Sequence, residues 1–376
     1  MKIVHVVECF AAGTAHFINL LTQYTSCEHV VIHGERVEET SAEAVKAKFP
    51  KGVSFIHWKS AQREIRPGQD LKALKELIKI LKGIEGIDVI HLHSSKAGFL
   101  GRAACFYLGI KQVIYTPNGA PFARADVSPK KKTLYVMLEK VADKLSGRVV
   151  CCSPSEAQSY EEIGISTTYI NNGTILPEET TDPQSIETDR PFTIVTCGRI
   201  TEQKNPTLFN EIAAAFVQRH DVRFVWIGEG EKEQRAILSA KNVNITGWLA
   251  KSEVESNVRA ADLYLSTSLW EGLPFSVLEA LSLGKCLLLT DCVGNKDLVK
   301  DGYNGFRFLT AEEAISRIQW FMQNPEAIRQ MEKNSREWSE QEYDIRIVSR
   351  QYQQLYSQIA GTDHKLSAQK ALSSKI

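Results

Sequence analysis

The feature that most constrains this chain is the alternation of short apolar runs with amphipathic stretches, which begins at its first residues. Between the runs, apolar residues recur at helical spacing, as they do over 71–81. Strands that alternate with helices are typical of parallel sheets with crossover helices, so the fold class is predicted to be α/β. In the first half, strands are predicted at 2–7, 29–33, 53–58, 88–93, 112–116 and 148–152.

The stretch 174–191 interrupts this alternation, because it is polar and contains prolines, and we interpret it as an interdomain linker. We therefore predict two doubly wound, Rossmann-like domains, over 1–173 and 192–340. Ligands bind beyond the carboxyl ends of parallel strands, so the site is predicted in a cleft across which the two domains face each other. A helix over 341–360 is predicted to cross back to the first domain, and a loose tail to follow over 361–376. In the second domain, strands are predicted at 192–197, 222–227, 243–246, 262–266 and 286–290.

The composition narrows the classes of function. Of the 376 residues, 43% are hydrophobic and 24% charged, which is typical of a globular protein and excludes a disordered chain or a coiled coil. No apolar run reaches the length of a membrane span, and the N-terminus lacks a small-residue cleavage site, so neither a span nor a signal peptide is expected. The net charge is zero and no basic stripe stands out, so a nucleic-acid partner is not expected.

The charge is unevenly divided along the chain. Residues 1–173 carry 22 basic and 17 acidic side chains, whereas residues 174–376 carry 23 basic and 28 acidic. A basic N-terminal half is suited to an anionic substrate or to peripheral contact with a membrane surface. The lysine run at 130–132 precedes an amphipathic stretch, which fits the membrane interpretation. An ordinary helix packed on its own sheet, with scattered surface charge, is the alternative.

The most informative segment is SLWEGLPFSVLEALSLG, residues 268–284, in which a strand runs into a turn and then a helix that starts near Pro274. Gly272 lets the backbone approach a ligand, and the first amides of the helix suit a phosphate. Glu271 lies just before this anion site, and Glu279 leans back toward it from within the helix. Two interpretations of Glu279 remain open: a sugar hydroxyl hydrogen-bonds its carboxylate, or it lies on the wet face of a surface helix.

These residues resemble a known signature. Glu271 and Glu279, with Gly272, Leu273, Pro274 and Ala280, are similar to the paired glutamates of glycosyltransferase family 4, whose members are retaining, nucleotide-sugar-dependent enzymes of the GT-B fold. The resemblance spans nearly the whole chain. Further segments resemble the family in the same order, namely Gly13, the Asn-Gly at 172–173, Gly198-Arg199 with Lys204-Asn205, the Gly-Glu-Gly at 228–230, and the Asp-Gly-Tyr-Asn-Gly at 301–305.

The resemblance implies a role for each matching residue. Arg199 and Lys204 would neutralise the donor diphosphate as it leaves, since arginine offers a bidentate fork and lysine a point charge. Glu271 would hold the donor sugar, and Glu279 the nucleotide ribose. The remaining donor-binding residues implied are Gly198, Gly228, Glu229, Gly272, Leu273, Pro274, Phe275 and Ser276, with 247–249 beside the base, and those implied for the acceptor or the cleft are Gly13, His93 and Asn118.

A metal is not expected, because no Asp-x-Asp pair follows a strand and GT-B enzymes generally use basic groups and helix dipoles instead. His91 and His93 alternate on one strand face and suit a metal in principle, but His93 is predicted near the acceptor and His91 as a structural residue. Asn118 departs from the family, which usually carries a histidine there. Asparagine hydrogen-bonds but does not titrate, so this departure bears on the choice of donor or on the activity itself.

The function predicted is that of a retaining hexosyl- or N-acetylhexosaminyltransferase without a cofactor. A UDP- or GDP-linked sugar would be the co-substrate, and a glycan or lipid-linked hydroxyl the acceptor, in the synthesis of a surface polysaccharide or glycoconjugate. The protein is expected in the cytoplasm or at the inner face of the membrane. A sugar-nucleotide epimerase of the same architecture and a silent nucleotide-sugar-binding protein are the alternatives.

Overall fold

The computed structural model describes residues 1–35, 41–62, 64–177 and 190–361. Most of the predicted linker and nearly all of the predicted tail lie outside the described residues. The chain divides into two compact units. Unit 1 comprises residues 1–122, 128–172 and 345 onward, and unit 2 comprises residues 123–127 and 173–344.

Unit 1 contains a seven-stranded parallel sheet in the order β3-β2-β1-β4-β5-β6-β7. The order reverses between β1 and β4, which pair in register from Ile3 with Val89 to Val7 with His93. The strands are β1 (Lys2–Val7), β2 (Glu28–His33), β3 (Ser54–His57), β4 (Val89–His93), β5 (Val113–Thr116), β6 (Arg148–Cys151) and β7 (Thr167–Tyr169). The first helices of the chain are α1 (Ala12–Tyr24), α2 (Ala42–Lys46), α3 (Pro67–Lys82), α4 (Ser95–Leu108), α5 (Pro129–Asp143) and α6 (Pro154–Glu162).

Unit 2 contains a six-stranded parallel sheet in the order β10-β9-β8-β11-β12-β13, with its reversal between β8 and β11. Its strands are β8 (Phe192–Cys197), β9 (Val222–Ile227), β10 (Val243–Gly247), β11 (Leu263–Ser266), β12 (Leu287–Thr290) and β13 (Gly305–Phe308). The later helices are α7 (Pro206–Ala214), α8 (Lys232–Ala236), α9 (Lys251–Ala260), α10 (Phe275–Ser282), α11 (Ala311–Gln323), α12 (Pro325–Trp338) and, in unit 1, α13 (Ile345–Ile359).

Local sequence explains most of these elements. The apolar spacing over 71–81 lies within α3, and the predicted α/β alternation is confirmed in both units. Asn205 caps α7, because its side chain accepts a hydrogen bond from the amide of Leu208 at 3.2 Å and Pro206 occupies the first turn. The central strands are buried and mostly apolar, as expected when helices cover both faces of a parallel sheet.

Beyond shifts of one residue at the ends of several strands, two short strands and the start of one helix differ from the sequence prediction. The edge strands β7 and β13 were not predicted, because three or four residues are too few to show a periodicity. The helix expected over 341–360 begins at Ile345, since Asp344 adopts an extended conformation with φ −62° and ψ 124°.

Candidate active site

Two loops that follow the carboxyl ends of neighbouring strands in unit 2 bring a cation and a carboxylate together. They lie at the point where the strand order of the sheet reverses. Lys204 follows β8 and Glu271 follows β11, the neighbouring strand. The Lys204 Nζ atom donates to Glu271 Oε1 at 2.7 Å, and the Gln203 amide donates to Glu271 Oε2 at 3.2 Å. Glu271 is buried, so its charge depends on these partners. Arg199 lies half-buried in the same loop as Lys204.

The Glu271 loop is braced by a segment that the sequence analysis did not single out. The Glu271 amide donates to the carbonyl oxygen of Val293 at 3.1 Å. Gly294 has φ +85°, and a Cβ there would lie 2.6 Å from the carbonyl oxygen of Gly272 and 2.8 Å from the Cβ of Glu271. The sequence offers one signal for this bracing segment, a glycine that follows β12. Only glycine fits this close approach, so Gly294 fixes where the Glu271 carboxylate stands.

Helix α10 begins directly after the Glu271 loop, as predicted. Its first turn contains Phe275 and Ser276, and its N-terminal end carries the partial positive charge of the helix dipole. Leu273 and Pro274 are buried beneath this end. The arrangement suits an anion held by backbone amides.

Glu279 is half-buried on α10 rather than fully exposed. Burial raises the pKa of its carboxyl group, while Lys251 acts to lower that pKa and Glu255 to raise it. Within the described part of the chain, no hydrogen bond supports the Glu279 carboxylate. The geometry therefore favours the first of the two interpretations, a carboxylate suited to a polar ligand such as a sugar diol, over a solvated surface glutamate.

The residues predicted beside the base also lie together. Gly228 forms a bridge with Gly247, and its φ of +145° places the hypothetical Cβ 2.1 Å from the carbonyl oxygen of Gly198. Glu229 follows Gly228, accepts from the Gly230 amide at 3.1 Å and pairs with Arg235. This pairing lowers the pKa of Glu229.

In unit 1 the predicted residues lie at the carboxyl ends of neighbouring strands. Gly13 is in the first turn of α1 after β1, His93 ends β4, and Asn118 follows β5. Asn118 has φ +55°, a left-handed conformation that asparagine tolerates well, and its amide donates to the Thr116 carbonyl oxygen at 3.3 Å.

Unit 1 also contains a buried histidine cluster, which we define as His5, His29, His91 and His93. His91 is hydrogen-bonded at both ring nitrogens, to Tyr356 at 2.8 Å and to Thr116 at 2.9 Å, which fits a structural residue. Burial is the main cause that lowers the pKa values of all four rings, that of His29 to about 4.

Hydrogen bonds fix the tautomers of three of these histidines. The Thr25 hydroxyl donates to the Leu21 carbonyl oxygen at 2.6 Å, so its oxygen accepts from His29 Nε2–H at 2.9 Å. His29 Nδ1 then accepts from His5 Nε2–H at 3.1 Å, and His5 Nδ1 accepts from His93 Nε2–H at 3.0 Å. His93, His5 and His29 thus form a hydrogen-bonded chain of neutral rings.

The same cluster is the place where the described residues come closest to a metal-ligand set. Ring nitrogens of His5, His91 and His93 lie within 4.8 Å of one another. The sequence analysis missed His5, because only the β1–β4 pairing sets it opposite His91. Both nitrogens of His5 and of His91 already take part in hydrogen bonds, which a metal ion would have to displace.

Comparison with known proteins identifies what this chain is similar to. Residues 15–176 match the family "Glycosyltransferase Family 4", and residues 178–338 match "Glycosyl transferases group 1". The chain is 31% identical over 275 residues to UDP-Gal:alpha-D-GlcNAc-diphosphoundecaprenol alpha-1,3-galactosyltransferase of Escherichia coli, covering 65% of this chain and 68% of the relative. It is 22% identical over 329 residues to N,N'-diacetylbacillosaminyl-diphospho-undecaprenol alpha-1,3-N-acetylgalactosaminyltransferase of Campylobacter jejuni, covering 82% and 86%.

Solved structures share the fold at lower identity. HepE of Anabaena, determined in complex with UDP, superposes with a TM-score of 0.75 at 17% identity, over 95% of this chain and 100% of that one. The lipopolysaccharide outer core galactosyltransferase WaaB superposes with a TM-score of 0.69 at 18% identity, over 95% and 100%. These likenesses extend over both units.

Proposed function

This chain belongs to glycosyltransferase family 4 and is a glycosyltransferase of the GT-B fold, and from that premise we propose that it transfers a sugar, with retention, from a UDP-sugar to a hydroxyl of a lipid-linked glycan. The observation that carries the proposal is the Lys204–Glu271 pair in front of helix α10. The donor and acceptor classes are supported by the two relatives, whose named activities both act on diphospho-undecaprenol-linked sugars, and by HepE, which binds UDP.

The chemistry assigns a task to each group. When the bond between sugar and diphosphate breaks, negative charge grows on the leaving phosphate, and Arg199, Lys204 and the N-terminal end of α10 stabilise it. The sugar ring gains positive charge at the same time, and the Glu271 carboxylate stabilises that charge while it accepts from a sugar hydroxyl. Lys204 also donates a hydrogen bond to Glu271, which partly neutralises the charge of that carboxylate.

Glu279 has a different task, because the ribose does not change during the reaction. Its half-buried carboxylate would accept two hydrogen bonds from the ribose hydroxyls, which would restore the solvation that burial removes. We propose that no metal takes part, since the cations and the helix dipole supply the positive charge that a metal would supply.

Transfer is expected only when donor and acceptor are both present, and it is expected to persist in EDTA. The assay incubates UDP-galactose, UDP-N-acetylglucosamine, UDP-N-acetylgalactosamine and GDP-mannose, each with and without a synthetic short-chain lipid diphosphate that bears N-acetylglucosamine, and measures the released nucleotide. Interconversion of sugars without release would indicate an epimerase, and binding without turnover a silent protein. Loss of transfer in EDTA, with recovery on adding Mg²⁺ or Mn²⁺, would contradict the metal-free proposal.

Helix α5 supports a peripheral position at the membrane. Among the described residues no helix is long and apolar enough to span a bilayer. Leu134, Met137 and Val141 are 41%, 53% and 47% exposed and recur along one face of α5. Glu139 fixes the inward face of α5, because it is buried against Arg102 at 2.6 Å. The lysines at 130–132 begin the helix and would contact anionic headgroups.

Replacing Leu134, Met137 and Val141 together with serine is therefore expected to weaken binding to phosphatidylglycerol-containing vesicles by roughly tenfold or more, because each side chain loses apolar burial in the interface. Vesicle co-sedimentation measures the effect. The matched control is Leu71→Ser, a leucine that is 54% exposed on α3. Equal binding by the triple variant and the control would show that α5 is an ordinary surface helix.

A further inference from the structure

Gln203 is a residue that the sequence analysis did not single out, and it lies beside the Lys204–Glu271 pair. It is the middle residue of a single 3₁₀ turn, Glu202–Lys204, in the loop that follows β8. Glu202 is exposed to solvent, whereas Gln203 is half-buried. Burial of a polar side chain is favourable only when its polar atoms are bonded, so the partners of Gln203 indicate what it does.

The side-chain amide of Gln203 bonds two consecutive residues of the loop that follows β11. Its Nε2 atom donates to the carbonyl oxygen of Trp270 at 2.9 Å and to Glu271 Oε2 at 3.2 Å. Both partners only accept hydrogen bonds, so the nitrogen rather than the oxygen of the amide must face them. The NH₂ group has two hydrogens and therefore serves both acceptors at once.

Together with Lys204, this contact sets the plane of the Glu271 carboxylate. Lys204 Nζ donates to Oε1 at 2.7 Å, and Gln203 Nε2 donates to Oε2. A carboxylate that is bonded at one oxygen can turn about its terminal bond, whereas donors at both oxygens leave one orientation. Each oxygen keeps a second lone pair, so the oriented carboxylate can still accept from a sugar hydroxyl.

The two donors are not interchangeable. The Lys204 ammonium group carries a positive charge that partly neutralises Glu271, whereas the Gln203 amide is neutral and orients the carboxylate without offsetting its charge. The reaction proposed above needs that negative charge when the sugar ring becomes positive. Gln203 therefore supplies what a second cation would not, an orienting bond that leaves the charge available.

The two loops are already joined without this side chain. The Leu269 amide donates to the main-chain carbonyl oxygen of Gln203 at 2.8 Å, and the Thr267 hydroxyl donates to that of Lys204 at 2.7 Å. Both bonds end on main-chain oxygens of residues 203 and 204, so they persist when the Gln203 side chain changes. The side chain itself adds the bonds to the Trp270 carbonyl oxygen and to the Glu271 carboxylate.

We propose that Gln203 is a positioning residue, which holds the Glu271 carboxylate in the orientation that stabilises the sugar in the transition state. The inference rests on the proposed sugar transfer and on the role of Glu271 in it. A carboxylate that is free to turn spends less time in the productive orientation and must be reordered in the transition state, at a cost in free energy. Losing the Gln203 amide should therefore affect kcat rather than donor binding.

Gln203→Met tests this role, because methionine keeps the length of the side chain but has no N–H group to donate. We expect kcat to fall on the order of tenfold, with the donor Michaelis constant and the dissociation constant for UDP close to those of the wild type. Gln203→Ala should give the same result and replaces the first variant if that one misfolds. The matched control is Gln330→Met, expected to leave kcat unchanged, since the Gln330 amide also donates, to Asn334 at 3.0 Å, but on the exposed surface of α12.

A double-mutant cycle with Glu271→Gln separates positioning from a purely structural role. In Glu271→Gln the amide oxygen accepts from Lys204, and the new NH₂ group then faces the NH₂ group of Gln203, so these two donors do not bond. Adding Gln203→Met to Glu271→Gln should therefore lower kcat by less than about twofold further. Full multiplication of the two losses would show that Gln203 supports the loop through Trp270, and it would overturn the inference.

The outcomes separate this inference from the proposed function. Transfer by the wild type, with kcat unchanged in Gln203→Met and Gln203→Ala or with a rise in the donor Michaelis constant alone, overturns the inference and leaves the function. If the wild type does not transfer, the proposed function fails, and crystal structures of the wild type and of Gln203→Met decide the positioning. A Glu271 carboxylate that is rotated or takes two conformations in the variant supports it, and an unchanged carboxylate overturns it.

Discussion

Replacing Glu271 with glutamine is expected to lower kcat by about 10²–10³ and to leave the dissociation constant for UDP nearly unchanged. The amide oxygen still accepts from Lys204, so the variant loses the negative charge and keeps the geometry. That charge matters most when the sugar ring becomes positive, which makes the loss specific to the transition state. Steady-state kinetics with UDP-galactose and the lipid-diphosphate acceptor, together with UDP calorimetry, measure both quantities.

Glu279→Gln is the matched comparison, because Glu279 lies on the same helix and is assigned to the unreacting ribose. Its interaction is equal in the ground and transition states, so the donor Michaelis constant should rise while kcat stays near the wild-type value. Wild-type kinetics in both variants would show that α10 is merely structural. An exchange of the two effects would show that the donor lies in the opposite direction along the site.

Acidification from pH 7 to pH 5.5 is expected to lower the free energy of unfolding of unit 1 by roughly 4–5 kcal/mol. His5, His29, His91 and His93 have folded-state pKa values below the ordinary value of about 6.5, mainly because of burial. Well above pH 6.5 these histidines are neutral in both the folded and the unfolded states, and the free energy of unfolding has its full value. As the pH falls below 6.5, the histidines of the unfolded chain bind protons, whereas those of the folded cluster stay neutral. Each histidine then lowers the free energy of unfolding by about 1.4 kcal/mol per pH unit.

Urea unfolding at several pH values, followed by pulsed hydrogen exchange on peptides from β1 and β4, measures this dependence for unit 1. Replacing His29 with glutamine should reduce the pH slope by about one proton. His220→Gln is the control, since His220 is exposed in unit 2 and should leave the slope unchanged. A free energy of unfolding that does not change between pH 7 and pH 5.5 would show that the folded cluster binds protons as readily as the unfolded chain.

Several features follow from local sequence alone. The alternation of runs predicts two parallel sheets, because strand and helix periodicities are properties of neighbouring residues. Asn205 with Pro206 predicts the start of α7, and Pro274 predicts the start of α10, since capping depends on residues within one turn. The matching motifs then indicate the family, and the family comparison confirms it.

The contacts between residues of distant loops are decided by strand order, which periodicity does not encode. Lys204 and Glu271 are 67 positions apart, and they meet because β8 and β11 are neighbours across the reversal of the unit 2 sheet. Glu8 and Ser94 are 86 positions apart and meet in the same way across β1 and β4. Each residue alone reads as an ordinary surface charge or loop residue. Only the tertiary structure fixes which loops share an edge, because that depends on the packing of whole strands and crossover helices.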